Sequence, residues 1–401
     1  MTIALTEPAR APIIALCLSG GGFRAALFHL GAVRRLNELG VLGRVSVISS
    51  VSGGSILAGH LAERVRPWPA PGESFPDWET RVAVPFRAFC AKNIRTGPIL
   101  RRLLNPLCWF DGQTQVRALE RTYHRKLTGM LLRDLPATPR FIFCATDLAF
   151  GVNWVFEKER VGDYQVGYAI TPADWSVARA VAASSCFPPI FGPQWPKLKP
   201  DQLHGGKYPK RKSRDALIAN LSLTDGGVYD NMATEPIVGD DPAERTMLIS
   251  DGGAVFRYEV TQWFVQRLWR YASIVQDQAG KVRRRWLIEQ FKRRNPVRGA
   301  YWSISSAVTS YGLDAGRGYS KAFATDRIAP IRTDLDAFSA GEAAVLENHG
   351  YSLADAGVRV HLPDLLPPTA SEPTLPHPAM DEVSAEVALI GSQKRRWLGR
   401  N

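Results

Sequence analysis

An α/β fold is predicted by the order of apolar and helical segments at the start of the chain. Residues 12–18 and 44–51 are short apolar runs with the length of buried strands. Each run leads through small residues into a segment with helical spacing, at residues 22–39 and 53–64. A strand–helix–strand–helix order needs crossover connections, which favour parallel strands covered by helices. We therefore expect a three-layer α/β/α fold with a mainly parallel central sheet.

Later segments continue this pattern. The alternation over residues 152–169 indicates a hairpin, and Asp174 is placed near the N-cap of a short helix at residues 174–184. Apolar residues recur at helical spacing over residues 261–294, which predicts one long helix or two. Three further apolar segments predict strands, at residues 139–147, 216–224 and 245–250.

The chain is expected to form one large domain, residues 1–361, followed by an extension at residues 362–401. Residues 67–115 are rich in Pro and Trp and weakly periodic, which indicates an insertion near the site that acts as a lid. Six prolines among residues 362–379 predict a linker or a surface wrap at the start of the extension. A basic helical region is expected near residues 260–298.

The composition is that of a basic globular protein. Lysine and arginine number 50 against 38 acidic residues, which gives a formal net charge of +12. Such a charge predicts attraction to an anionic membrane surface or to nucleic acid, although a basic protein can also lack a polyanionic partner. The N-terminus lacks a signal-peptide pattern, and no window approaches the roughly 18 apolar residues of a transmembrane helix. We expect a cytoplasmic protein whose membrane contact, if any, is peripheral.

Five cysteines occur, without any Cys-x-x-Cys spacing. Their number is odd and several lie in apolar runs, which is typical of buried free thiols in a reducing compartment. This spacing argues against a zinc site. We therefore expect no metal and no other cofactor.

Ser52 lies where an apolar strand meets a helix, which is the setting of a nucleophile elbow. The usual pattern is G-x-S-x-G, because small residues on both sides keep the sharp turn free of clashes. Gly53 and Gly54 suit the turn after the serine, whereas Ser50 stands where the first glycine is usual. A serine at a helix start is also a common N-cap, so this segment alone leaves both roles open.

Three consecutive glycines, Gly20, Gly21 and Gly22, follow the first predicted strand and open a helix. Backbone N–H groups at such a helix start point at an anion, which in acyl transfer is the tetrahedral oxyanion. Arg24 is expected to hold this loop or to add positive charge. A phosphate-binding loop is less favoured, because the sequence lacks both the Walker lysine and the acidic residue of a dinucleotide site. A plain glycine turn is the remaining alternative.

The base that activates the serine is sought among histidines and carboxylates. Asp225 begins an Asp-Gly-Gly sequence at the end of a predicted strand, where the glycines allow a tight turn and leave room for substrate. A second Asp-Gly-Gly sequence begins at Asp251, and the pattern alone barely separates the two. An α/β-hydrolase has a histidine late in the chain, but no distinctive context surrounds the late histidines here, His349, His361 and His377.

Taken together, these segments resemble the patatin-like phospholipase family. That family combines a G-G-G-x-R loop, a G-x-S-x-G elbow and a D-G-G/A motif followed by Asn and Pro. Asn231 and Pro236 follow Asp225, which favours this aspartate over Asp251. Residues 178–189 also resemble the family's A-R-A…S…F-P-P block, and the motifs match in order and spacing over about residues 12–255.

The resemblance implies a patatin-like fold and a catalytic dyad of Ser52 and Asp225, without histidine or metal. It implies a lipid acyl-ester hydrolase of the phospholipase A or lysophospholipase type, whose substrate is a phospholipid or another lipid ester. The loop of Gly20, Gly21, Gly22 and Arg24 would hold the oxyanion. A catalytically idle membrane-binding module and a nucleotide-binding protein are the alternatives.

Residues 281–298 contain eight basic residues and a single acidic one, Glu289. Trp286, Leu287 and Phe291 lie among them, and a basic helix with such side chains suits an anionic membrane or nucleic acid. The same apolar side chains could instead pack in the core. Because the resemblance favours a lipid substrate, we expect an anionic membrane surface and no nucleic acid as partner, with vesicle binding that falls with salt.

Overall fold

A ten-stranded mixed sheet runs through the computed structural model, which describes residues 12–104, 111–208, 211–238, 244–256, 263–293 and 297–395. The strands are β1 (Ile13–Leu18), β2 (Val47–Val51), β3 (Arg140–Asp147), β4 (Val152–Phe156), β5 (Arg160–Asp163), β6 (Gly167–Ile170), β7 (His204–Gly205), β8 (Leu223–Asp225), β9 (Arg245–Asp251) and β10 (Val297–Ser303). They lie in the order β10-β9-β1-β2-β3-β4-β5-β6-β7, and β8 pairs with β3. The strands from β10 to β3 are parallel, and those from β3 to β7 are antiparallel.

Helices flank this sheet, which confirms the predicted α/β fold. They are α1 (Gly22–Glu38), α2 (Gly53–Arg64), α3 (Val84–Cys90), α4 (Thr96–Leu104), α5 (Thr114–Lys126), α6 (Val177–Ser185), α7 (Arg211–Ala219), α8 (Phe264–Arg293), α9 (Lys321–Phe323), α10 (Ala340–His361) and α11 (Glu382–Ala388). Side chains of β1 alternate between two cores. Leu16 and Leu18 enter the larger core beside α1, α2, α6 and α10, whereas Ala15 and Cys17 enter a smaller core that Leu287 of α8 joins.

Helix α10 crosses α1 so closely that the two backbones meet at a glycine of each helix. A Cβ atom added at Gly31 would lie 1.8 Å from the carbonyl oxygen of Glu347, and one added at Gly350 would lie 1.8 Å from that of Phe28. Only glycine fits at such a crossing. The contact fixes α1 and therefore the glycine loop that precedes it. The sequence-based interpretation did not predict α10.

Two predicted elements differ from the structure. The strand predicted at residues 216–224 is divided between the end of α7 and the short strand β8. The apolar run there contributes Ile218 to the core from a helix, and a short apolar run does not distinguish a helix from a strand. The helix predicted at residues 174–184 begins three residues later, at Val177, with Ser176 as its N-cap two residues after Asp174, because the Ser176 hydroxyl accepts the Arg179 N–H at 3.1 Å.

The predicted insertion and the C-terminal extension both contain helices that contact the body of the protein. Residues 67–115 include α3 and α4, with residues 105–110 outside the described part, and the lid role stays a prediction. The extension wraps over the surface, since Ala385 and Leu389 are buried and the Ser371 carbonyl accepts from Arg35. Among the described helices, none is long and apolar enough to span a bilayer.

Candidate active site

Three neighbouring strand ends bring Ser52, Asp225 and the glycine loop together. Because β1 and β2 are parallel neighbours, the loop after β1 and the turn after β2 emerge at the same carboxyl edge of the sheet. Val51 of β2 pairs with Cys144 of β3, and Ala145, the next residue of β3, pairs with Asp225 of β8. Strand β3 therefore places Ser52 beside Asp225.

The backbone of Ser52 is that of a sharp turn rather than an ordinary helix cap. Its φ is 50° and its ψ is −114°, a conformation that non-glycine residues rarely adopt and that costs about 1–3 kcal/mol. The Ser52 side chain makes no capping hydrogen bond to α2, which excludes the N-cap alternative. Ser52 is 9% exposed. The hydroxyl is therefore left for another partner at a buried, strained position.

The small residues around Ser52 let the glycine loop pack directly on the start of α2. A Cβ atom at Gly53 would lie 2.2 Å from the Gly22 carbonyl oxygen, and one at Gly54 would lie 2.2 Å from that of Leu18. Both positions therefore require glycine.

Ser50, where the elbow pattern has a glycine, is accommodated by hydrogen bonds. Its hydroxyl donates to the Ile142 carbonyl oxygen at 3.1 Å and accepts from the Ser55 hydroxyl at 3.0 Å. This buried hydroxyl therefore both donates and accepts a hydrogen bond within the protein, which avoids the free-energy cost of an unsatisfied hydroxyl. The departure from the usual pattern is compatible with the sharp turn at Ser52.

Asp225 is buried, and one of its carboxylate oxygens is available to Ser52. Oδ1 accepts the Gly227 N–H at 2.8 Å, whereas Oδ2 has no full hydrogen bond to any described residue. Burial raises the pKa of Asp225 to about 7, and interactions with the Ser52 side chain and the Gly227 N–H oppose this rise. A carboxyl group with a pKa near neutrality, next to a serine, is suited to general-base chemistry.

Asp251, in the second Asp-Gly-Gly sequence, has a different environment. Its Oδ1 accepts the Gly253 N–H at 2.9 Å, and its Oδ2 accepts the Tyr301 hydroxyl at 2.7 Å. Both carboxylate oxygens are therefore engaged. The geometry favours Asp225 over Asp251 as the partner of Ser52, in agreement with the choice made from the flanking Asn231 and Pro236.

The glycine loop presents two N–H groups that have no acceptor among the described residues, those of Gly21 and Gly22. Their φ angles of 141° and 60° lie in the region that favours glycine. The Gly20 N–H donates instead to the Asn231 carbonyl oxygen at 3.0 Å. A Cβ atom at Gly20 would lie 3.2 Å from the Cβ atom of Ser52, so the loop passes directly over the serine.

Arg24 is buried and holds the loop in place. Its guanidinium donates to the carbonyl oxygens of Gly252, Ala329 and Ile331 at 2.9, 3.2 and 2.8 Å. These bonds connect the start of α1 to two distant segments. Two roles were expected for Arg24, holding the glycine loop and adding positive charge at the oxyanion. The geometry favours the first. This leaves Gly21 and Gly22 as the candidate donors.

Three buried histidines and Cys144 lie in environments that do not suit catalysis. Burial lowers the pKa of His29, His60 and His349 to about 4, and their ring nitrogens bond to the carbonyl oxygens of Ser19, Val82 and Ile304. Burial raises the pKa of the Cys144 thiol, which lies near the site, to about 12. A thiol of that pKa stays protonated and is a poor nucleophile. Within the described residues, no group of three potential metal ligands occurs.

Ser184 supports the nucleophile turn, and sequence reasoning assigned it no role. Its buried Oγ accepts the Ser52 N–H at 2.9 Å, donates to the Cys144 carbonyl oxygen at 2.6 Å and lies 2.8 Å from the Ser55 Oγ. The hydroxyl therefore joins the serine turn to β3. The only sequence signal was its position in the block at residues 178–189.

Ser184→Ala should lower kcat for ester hydrolysis roughly 10- to 100-fold with little change in KM, because it frees the backbone that positions the Ser52 hydroxyl. Steady-state kinetics on a lipid ester would test this. The adjacent Ser185→Ala is the matched control, since Ser185 is also buried but bonds to the Val181 carbonyl and to Tyr123. Equal losses of kcat in the two variants would show that the effect is a general cost of cavity formation.

Comparison with known proteins links this geometry to a family. The family model described as Patatin-like phospholipase matches residues 16–238, which include the glycine loop, the serine turn and Asp225. No curated protein matches the sequence.

Several solved structures are similar over part of the chain. Human GIVD cytosolic phospholipase A2 aligns over 59% of this chain and 42% of its own length, with 14% identity and a TM-score of 0.37. VipD from Legionella pneumophila aligns over 87% of this chain and 67% of its own, with 13% identity and a TM-score of 0.34. The type III effector protein ExoU aligns over 88% of this chain and 53% of its own, with 12% identity and a TM-score of 0.28. The chain thus spans less than half of the human protein.

Proposed function

The chain belongs to the patatin-like phospholipase family, and from that premise we propose that it is a lipid acyl-ester hydrolase with a Ser52–Asp225 catalytic dyad. The observation that carries the proposal is the unpaired, buried Oδ2 of Asp225 beside the strained turn of Ser52. The N–H groups of Gly21 and Gly22 next to this turn support it. The substrate class is a phospholipid, lysophospholipid or acylglycerol.

The proposed mechanism has two acyl-transfer steps. The Asp225 carboxylate accepts the proton of the Ser52 hydroxyl as the serine oxygen attacks the ester carbonyl carbon. The carbonyl oxygen becomes an oxyanion, which the Gly21 and Gly22 N–H groups stabilise. The tetrahedral intermediate then releases the alcohol, which takes up the proton from Asp225, and an acyl-enzyme remains. Water attacks this ester with Asp225 again as the base, and the products are a fatty acid and free Ser52.

The pH dependence of fatty-acid release tests the function and the base together. A general base acts in its ionised form, and burial raises the pKa of Asp225 to about 7. We therefore expect kcat/KM to rise about tenfold per pH unit in acid and to level off above about pH 7. Release of fatty acid from phospholipid vesicles by the native chain, followed from about pH 5 to about pH 9, measures this profile.

Asp163 provides a control for that profile, because burial also raises the pKa of this carboxyl to about 7. Asp163 lies in β5 and accepts the N–H groups of Gln165 and Val166. The Asp163→Asn variant should keep the same inflection. Absence of fatty-acid release at every pH would contradict the function, and a profile without an inflection near neutrality would contradict Asp225 as the base.

We further propose that the protein acts at an anionic membrane surface as a peripheral protein, without nucleic acid as a partner. The net charge of +12 supports attraction to anionic lipid. A lipid ester substrate is presented at such a surface. The cytoplasmic location stays a prediction from the sequence.

A further inference from the structure

Helix α8 has an apolar face that points away from the protein. Six of its exposed apolar side chains follow one another at steps of four, three, four, seven and four residues, which places these six on one side of an α-helix. We define them as the outer stripe of α8: Phe264, Leu268, Tyr271, Val275, Val282 and Trp286. A surface helix normally buries its apolar face, so this arrangement is the reverse of the usual one.

The opposite side of α8 makes the contacts with the body. Leu287 is fully buried in the smaller core, and Phe291 packs against it. These are two of the apolar residues that the sequence analysis considered for membrane contact, and the structure places both inward. Trp286 alone of that group belongs to the exposed face. The exposed apolar surface is therefore centred nearer the N-terminal end of the helix than the sequence suggested.

Contacts from α8 reach the turn that follows the candidate base. The Gln276 side-chain amide donates to the Gly227 carbonyl oxygen at 2.7 Å, two residues beyond Asp225. Arg283 forms an ion pair with Asp230 at 2.8 Å and donates to the Tyr229 carbonyl oxygen at 3.3 Å. A partner that binds the outer stripe is therefore held near the candidate active site.

The charge of α8 indicates what that partner is. The helix contains eight lysine and arginine residues against two acidic ones, Asp277 and Glu289. Arg267 and Arg285 are both exposed and lie along one edge of the outer stripe. Each is about 60° or more around the helix axis from the centre line of the stripe. An apolar stripe flanked by cations suits a helix that lies in the headgroup region of an anionic bilayer.

We propose that the outer stripe of α8 is the membrane-docking surface of the protein and that its partner is an anionic lipid bilayer. The choice of a bilayer over a protein partner rests on the proposed function, because a lipid ester must enter the site from a lipid surface. Docking through this stripe holds the turn after Asp225 on the far side of α8, within one helix diameter, about 10 Å, of the bilayer.

Vesicle binding by a stripe variant tests the proposal. The parent is the full chain with Ser52→Ala, so that binding is measured without lipid hydrolysis. Vesicles contain equal parts of phosphatidylcholine and phosphatidylglycerol, and binding is measured by co-sedimentation at low and high salt. Leu268→Ser with Val275→Ser in this parent should weaken binding at least tenfold, because two inserted apolar side chains are lost.

The matched control removes apolar surface elsewhere. Val383 and Ile390, on α11 and the turn after it, are 75% and 74% exposed. Val383→Ser with Ile390→Ser should leave vesicle binding unchanged. Because all four positions are exposed, the unfolding temperature should stay close to that of the parent in both variants, which thermal unfolding followed by circular dichroism would verify.

Three outcomes would overturn the proposal. These are equal binding by the stripe variant and the control, no preference of the parent for anionic over neutral vesicles, and a dimeric parent that the stripe substitutions convert to a monomer without loss of vesicle binding. The last would assign the stripe to a second copy of the chain. Since no step depends on hydrolysis, failure of the docking proposal is separable from failure of the proposed function.

Discussion

Ser52→Ala should abolish fatty-acid release from phospholipid vesicles, with kcat reduced by roughly 10⁴-fold or more. The hydroxyl is the proposed nucleophile, and two reactive groups near it in the described part of the chain are unsuited to replace it. Asp225 lies next to it but is assigned to proton transfer, and burial keeps the Cys144 thiol protonated. The measurement is release of labelled fatty acid by matched amounts of the native chain and the variant.

The variant should fold as the native chain does, because the Ser52 side chain makes no capping hydrogen bond to α2. Equal unfolding temperatures would show this. Ser55→Ala is a useful comparison, since this neighbouring buried hydroxyl bonds to Ser50 and Ser184 but has no assigned chemical role. If Ser52→Ala released fatty acid as fast as the native chain, the assignment of the nucleophile would be wrong.

Asp225→Asn should lower kcat roughly 10³- to 10⁴-fold while making the folded protein more stable above neutral pH. The amide cannot accept the serine proton. The effect on stability has the opposite sign, because burial raises the folded-state pKa of Asp225 from 3.8 to about 7. The carboxyl group therefore contributes stability below about pH 4 that is lost as the pH rises through 7.

Replacing the carboxylate with a neutral amide of the same shape removes that cost. The gain in the free energy of unfolding should grow between about pH 4 and pH 7 and reach roughly 2–4 kcal/mol above pH 7. Urea unfolding of both proteins at several pH values measures it. Asp251→Asn is the matched control, because both oxygens of Asp251 are hydrogen-bonded and its substitution should destabilise instead. A uniform loss of stability in Asp225→Asn at all pH values would contradict the buried, uncompensated carboxylate.

The first strands and helices could be predicted because local pattern and tertiary structure agree there. The predicted helix at residues 53–64 coincides with α2, and β1 and β3 differ from their predicted ranges by one residue. Helix α10 was not predicted because its small residues, which suit its close packing on α1, mask the helical pattern of apolar residues. Gly350 and several alanines suit a close crossing with α1, and they give no strong helical period.

The candidate site was predictable as a set of residues, but the sequence did not show which N–H groups of the glycine loop are free or what Arg24 contacts. Ser52, Asp225 and the glycine loop follow from short motifs at strand ends. The Gly20 N–H is not free, because it donates to the Asn231 carbonyl oxygen. Asn231 lies far from Gly20 in sequence, so this hydrogen bond could not be predicted. Ser184, 132 residues from Ser52, becomes visible only when β2 and β3 are paired. The outward direction of the stripe on α8 likewise requires knowing which side of the helix meets the sheet.

Covalent labelling with a fluorophosphonate shows directly whether Ser52 is the nucleophile. The reagent phosphonylates an activated serine hydroxyl, so the site of the adduct identifies the nucleophile. Peptide mass analysis of the labelled native chain should place the adduct on Ser52. The Ser52→Ala variant should not be labelled, and the Asp225→Asn variant should be labelled much more slowly than the native chain. An adduct on another residue, or labelling of Ser52→Ala at the native rate, would contradict Ser52 as the activated nucleophile of this protein.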